Sequence, residues 1–423
     1  VTKEVEPDKK KAAPTRHKPF SRNARVAEVF KALSNLHQSM PLLPVDQWKA
    51  YCFRIAAGRL LNLDFEIASD PSTLRRLRAI KGFGKSIVDK IEECLNTGTV
   101  SRIREFQNHP KRVAIKNLTD IWGVGRVKAL ELMELGYNDI QDVRKGLGNM
   151  STIQEMSLDR NQLVGVDCYE DILDRMTRSE VEQIAKIVQQ TAEKLYPGIE
   201  FTIQGSYRRG KTTCGDVDIH LTHPLYINEI PDDALGRIID SLWSNGNIAF
   251  HLTSLRGMKT GSEYEAYERA SRVVPKAAWR KTKGVSQTIA EQHNSFYMGC
   301  LYSPVHRATR RRVDIKFYPY RERAFATVYF TGNGFFNRSI RLWAKRVFHL
   351  KLSDHGLFDL ADGRRVMEAS TEKDIFDFLK LVYKEPHERD CWDALQPKEG
   401  ALGLDMALTE AEFKEEDNHK WVE

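Results

Sequence analysis

The chain has 423 residues, of which 41% are hydrophobic and 29% charged, and it carries a formal net charge of +7. That length gives room for roughly two to four domains with cores of their own, and the mild positive excess suits a polyanionic partner. No apolar run reaches membrane-spanning length, no signal peptide stands out, and six cysteines without a C-x-x-C pair read as reduced intracellular thiols, not a disulfide set or a zinc site.

Residues 1–22 are rich in Lys, Glu and Pro and read as a disordered basic linker. The chain opens at Val1, which leaves room for an interaction domain upstream. Over 23–108 the spacing of Val26, Val29, Phe30, Leu33 and Leu36 predicts a helical domain, and 109–178 predicts a second one. A short repeat links them. Ile80-Lys81-Gly82-Phe83-Gly84-Lys85 resembles Ile121-Trp122-Gly123-Val124-Gly125-Arg126, and an amphipathic helix follows each copy. Gly-hydrophobic-Gly between two helices lets backbone N–H groups approach a phosphate with no side chain in the way. Both copies therefore predict helix-hairpin-helix contacts to a DNA backbone, made without reading sequence.

From Ser179 an amphipathic helix leads into strands expected near 199–203, 215–221, 296–302 and 312–318, an α/β or α+β catalytic region spanning 179–322. Gly205-Ser206-Tyr207-Arg208-Arg209-Gly210 predicts a tight turn into a helix whose free N–H groups suit a phosphate. Cys214-Gly215-Asp216-Val217-Asp218 follows. Period two puts Asp216 and Asp218 on one strand face, roughly 7 Å apart. Two adjacent carboxylates repel unless a cation compensates them, and an oxygen-liganded divalent metal does so. In Arg312-Val313-Asp314-Ile315, Asp314 alternates against its apolar neighbours and offers a third carboxylate, as two-metal phosphoryl chemistry needs. Residues 323–396 predict a last folded region with helices at Arg338–His349 and Lys373–Tyr383, followed by an acidic tail at 397–423.

Together with Arg-Val-Asp, Tyr329-Phe330-Thr331-Gly332, Phe336-Asn337-Arg338-Ser339 and Glu385-Pro386-His387-Glu388-Arg389-Asp390, these motifs make residues 25–395 resemble a family X DNA polymerase. The resemblance implies a multi-domain α+β architecture. A helical lyase-type domain with one hairpin comes first, then a helical fingers-like domain with the second. A nucleotidyltransferase palm with a mixed sheet and an α/β thumb-like domain follow.

It also implies roles. Asp216, Asp218 and Asp314 hold two Mg2+ ions, with Mn2+ as a substitute. Arg175, Ser206, Arg209 and Gly215 belong to the triphosphate site. Tyr329, Phe330 and Gly332 line the sugar, where relatives admitting ribonucleotides carry Gly-Trp. Asn337 reaches the base edge, Arg312 the primer phosphate and Arg341 the template. Gly82, Gly84, Gly123 and Gly125 meet the DNA backbone, with a monovalent cation at the hairpins. Lys90 is the nucleophile of a 5′-deoxyribose-phosphate lyase, Lys49 and Lys85 bind the 5′-phosphate, and Trp48 stacks on a base. Phe53 departs from the usual Tyr, so a hydroxyl is lost beside the lyase site.

The implied enzyme is a monomeric nuclear polymerase that fills short gaps in base-excision repair or end joining. Its partners are gapped or broken DNA, deoxynucleoside triphosphates and, through upstream sequence, repair proteins; no membrane is involved. A template-independent terminal transferase would use the same palm, and a non-catalytic scaffold would only bind DNA ends. An RNA nucleotidyltransferase would lack the hairpins. Residues 254–294 stand where beta- and lambda-type members of that family have a short hairpin connection. Eight Lys or Arg against four Glu make this insertion a candidate arm for discontinuous templates.

Overall fold

The computed structural model describes residues 20–39, 44–253, 255, 270–281, 295–389 and 395–398. The expected linker, except for its last three residues, most of the insertion, and the tail beyond 398 lie outside the described residues. These divide into two compact units, one within 1–36 and 49–104, the other within 37–48 and 105–423.

The first unit is helical. Val26, Phe30 and Leu33 from Ser21–Ser39 meet Phe53, Ala56 and Leu60 from Pro44–Leu61, and the core closes with Leu77, Phe83, Val88 and Ile91. The helices Pro71–Ala79 and Lys85–Thr97 flank the Gly82–Gly84 turn, with Asp70 capping the first of them through Ser72 and Thr73 N–H.

In the second unit, Pro110–Thr119 and Arg126–Glu134 flank the other hairpin. Ile115, Leu118, Ile121, Val124 and Leu132 share a core with Leu163, Val164 and Cys168. Next comes a mixed five-stranded sheet, built of β2 (Glu200–Ile203), β4 (Val217–Thr222), β5 (Ile248–His251), β6 (Phe296–Tyr302) and β7 (Arg310–Tyr318) in the order β2-β4-β7-β6-β5. Short strands β1 (Met176–Thr177) and β3 (Thr213–Cys214) pair beside it. The helix Arg178–Leu195 lays Val181, Ile184, Ala185 and Val188 against one sheet face, the i, i+3, i+4, i+7 stripe of a half-buried helix.

A fourth core joins Phe336, Ile340, Trp343, Ile375 and Phe376 around β8 (Leu350–Leu352) and β9 (Leu357–Asp359). The helix expected from Arg338 starts earlier, at Gly334, because the Asn333 side chain caps it by accepting from Phe336 N–H. The helix expected at Lys373–Tyr383 runs Glu372–Phe378 and stops where Lys380 enters the left-handed region at φ 54°.

The described part of the insertion includes a helix. That helix, Lys276–Lys281, buries Ala278 and Trp279 in the same core as the second hairpin. Among the described residues no helix is long and apolar enough to cross a membrane.

Candidate active site

β4 and β7 run parallel, in a register that sets Asp218 opposite Asp314. Flanking Val217, Ile219, Val313 and Ile315 point into the core, which turns the carboxylates to the other face. Asp216 sits just ahead of β4, and Asp216, Asp218 and Asp314 each place a carboxylate oxygen within 4.8 Å of the others. Gly205 opens the adjacent single turn, Gly205–Arg208, at φ +58°, and any Cβ there would collide with the Asp218 carboxylate. The phosphate-type turn and the acidic strand thus touch through a residue that must be glycine.

Burial and then the Asp314 charge push the Asp218 carboxyl up to about 7, against the pull of Lys316 and Arg209. Burial brings Lys316 down to about 8 although Asp314 and Asp218 favour its charge. The donor set is all oxygen, and like-charge crowding is its main penalty, so it fits a hard divalent cation. Arg312 takes part in the same balance, donating to both oxygens of Asp314 at 3.0 and 2.9 Å and pairing with Asp216.

Around this cluster, Arg175 donates to Thr213 Oγ1 at 2.9 Å and to the Thr213 carbonyl at 2.7 Å, alongside Gly215. Arg209 donates to the Thr331 carbonyl at 2.7 Å. Tyr329 and Phe330 meet edge to face at 4.9 Å, and the Arg341 guanidinium lies 5.3 Å from the Tyr329 ring centre. Asn337, 8% exposed, spends an amide N–H on the Tyr329 carbonyl at 2.6 Å, so it braces the aromatic pair.

Sequence reasoning missed two partners. Lys316 lies over the Phe330 ring, 3.3 Å from its centre. Arg208, read only as part of the Gly-Ser turn, grips Glu372 at 3.0 and 2.6 Å, and Arg389 reaches the same carboxylate at 2.6 Å. The basic-rich turn was visible in the sequence, but an acid 164 residues away was not.

In both hairpins the first glycine has positive φ, 92° at Gly82 and 82° at Gly123, and the second caps the next helix with nothing within 4 Å of where a Cβ would stand. On the Lys85–Thr97 helix, Lys90 Nζ donates to Ser86 Oγ at 3.0 Å, and Lys85 is exposed. Trp48 and Lys49, both half-buried, lie on Pro44–Leu61. Phe53 is 5% exposed and packs edge to face on Phe30 at 5.8 Å, as a core residue does.

A DNA polymerase beta palm family matches residues 175–320, a DNA polymerase beta thumb 326–390, the fingers domain of DNA polymerase lambda 116–173 and a helix-hairpin-helix domain 21–100. The chain is 28% identical over 383 residues to DNA polymerase lambda of Arabidopsis thaliana, covering 88% of this chain and 63% of that protein. It is 29% identical over 389 residues to DNA polymerase lambda of Rattus norvegicus, covering 90% and 58%. With DNA nucleotidylexotransferase of Homo sapiens it shares 26% over 343 residues, covering 80% and 62%. It thus spans about three-fifths of the length of the curated relatives it matches.

Proposed function

Since the chain belongs to the family X DNA polymerases, we propose that it is a template-directed, gap-filling DNA polymerase of nuclear repair, acting in base-excision repair or end joining. The observation that carries this reading is the convergence of Asp216, Asp218 and Asp314 beside the Gly205–Arg208 turn. Asp216 and Asp218 would hold two magnesium ions jointly, and Asp314 one of them. When bound, those ions activate the primer hydroxyl and neutralise the triphosphate.

The chain's own groups do the rest. Asp314 accepts the proton of the 3′-hydroxyl. Ser206, Arg209 and Arg175 hold the triphosphate where charge accumulates. Arg312 moves from its carboxylate pair to the primer phosphate. Tyr329 and Phe330 face the sugar and exclude a 2′-hydroxyl, while Asn337 braces them, and Arg341 meets the template. Each hairpin would hold the DNA backbone through its glycines, Gly82 and Gly84 in one and Gly123 and Gly125 in the other, and a monovalent cation held there would add positive charge toward the phosphates.

A second chemistry is assigned to Lys90. Its amine attacks C1′ of a 5′-abasic sugar and water leaves as the Schiff base forms; loss of a C2′ proton with cleavage of the C3′–O bond then frees the downstream strand with its own 5′-phosphate, and water hydrolyses the imine to release the unsaturated deoxyribose phosphate. Lys49 and Lys85 hold that phosphate, and Trp48 stacks on a base.

Similarity to DNA nucleotidylexotransferase keeps template-free addition as a second reading. Primer extension on a gapped duplex, with and without the template strand, separates the two. Insertion of the complementary nucleotide only when a template is present supports the first reading. Equal addition without template supports the second, and no incorporation with either removes both.

A further inference from the structure

The net positive charge of the 254–294 insertion is not spread along it. Residues 254–269 hold three basic and three acidic side chains and 282–294 hold one of each, so the surplus of four lies in 270–281 as Arg272, Lys276, Arg280 and Lys281. This stretch is fixed to the protein. The Asp167 carboxylate, 1% exposed, accepts from Ser271 Oγ at 2.6 Å and from the backbone N–H groups of Arg272, Val273 and Val274 at 3.0 Å each. Arg310 binds the same carboxylate. Trp279, 1% exposed, stacks on Phe250 at 6.0 Å and 20°.

Helical geometry then decides what faces outward. At about 100° per residue, Ala278 and Trp279 point inward while Lys276 and Arg280, one turn apart and both exposed, fall within about 40° of each other on a face turned roughly 130° from the buried pair. Ala278 and Trp279 sit in the same core as Ile121 and Val124 of the second hairpin, so the basic face is held in constant relation to it. Two long cations on an anchored helix, one a guanidinium that can bind phosphate bidentately, complement a nucleic-acid backbone.

We propose that the exposed face of the helix Lys276–Lys281 is a fixed contact for DNA backbone phosphates, extending the grip of the second hairpin; this rests on the polymerase reading above. It assigns the basic character of the insertion to an anchored helix instead of a free arm.

The test is gapped-DNA binding measured across a NaCl series for wild type and for Lys276→Glu/Arg280→Glu. Losing two phosphate contacts lowers the slope of log K against log salt by roughly 1.8, and at low salt the dissociation constant rises tenfold or more. Lys276→Gln/Arg280→Gln, with an unchanged melting temperature, should lose the same slope, which separates charge from folding. An unchanged slope in both variants, or weaker binding with the wild-type slope, overturns the proposal. Wild-type primer extension on the same DNA is scored separately. If the slope falls while wild type extends nothing, the phosphate contact stands and the polymerase reading fails.

Discussion

Glu372 receives two guanidinium groups, Arg208 from the Gly-Ser turn and Arg389 from 17 residues further along the chain, and Arg389 is fully buried. Burial alone would raise the Glu372 carboxyl, but hydrogen bonds and charge from the two arginines outweigh it and hold it below its ordinary value of 4.5. Glu372→Gln should therefore cost about 3–5 kcal/mol, because it leaves guanidinium charge buried without its counter-ion; thermal unfolding of the variant measures this. The sign with pH follows from the lowered pKa. The stabilisation is complete above about 4.5 and disappears as pH falls through the depressed value. Below pH 4.5 wild type should lose stability faster than Glu372→Gln, visible in melting temperatures at stepped pH. Asp314→Ala should slow nucleotide insertion on the order of 10²–10³-fold while gapped-DNA affinity stays within about twofold, read by single-turnover extension at saturating magnesium. At this scale Asp218 and Asp314 were legible from strand alternation, whereas Asp216, expected on the same strand face as Asp218, lies in the bend just ahead of β4. The embrace of Glu372 by Arg208 and Arg389 was not, because ion pairs between distant segments leave no spacing to read.

Elements were legible where their pattern is local and long enough. The strand expected near 296–302 is β6. β5 escaped notice because Ile248–His251 is buried throughout and does not alternate. The helix Lys276–Lys281 is too short for a periodic signal, and its anchor, Asp167, lies over a hundred residues upstream. Its docking changes how the insertion can be probed. Replacing all of 254–294 with a turn removes Val274, Ala278 and Trp279 from a shared core. Trp279→Ala alone should destabilise by about 3–5 kcal/mol, measured by denaturant unfolding. A deletion within 256–269 that spares 270–281 should leave that stability nearly unchanged.

For the whole molecule, the described residues form four apolar cores within two compact units, and one of those cores joins the second hairpin's Ile121 and Val124 to Phe250 and Cys300 of the sheet. Lys90 belongs to one unit and the aspartates to the other, so the two proposed chemistries should separate. Lys90→Ala should abolish borohydride trapping of a 5′-abasic end and leave gap extension within about twofold. Undiminished trapping would transfer the nucleophile to Lys81 or Lys85.

The parallel pairing of β4 with β7 has a consequence for how the site comes into being. Asp218 and Asp314 are neighbours only after the long crossover between those strands has closed, so the acidic cluster forms late, in one non-local step that local helices cannot rehearse. The entropy of closing such a loop grows only with the logarithm of its length. Doubling the crossover costs about 0.6 kcal/mol, and the anchored segment 270–281 pins it partway. Chain length between β5 and β6 is thus nearly free in the thermodynamic sense. A nascent chain that has emerged only as far as β6 holds two of the three carboxylates of the proposed metal site.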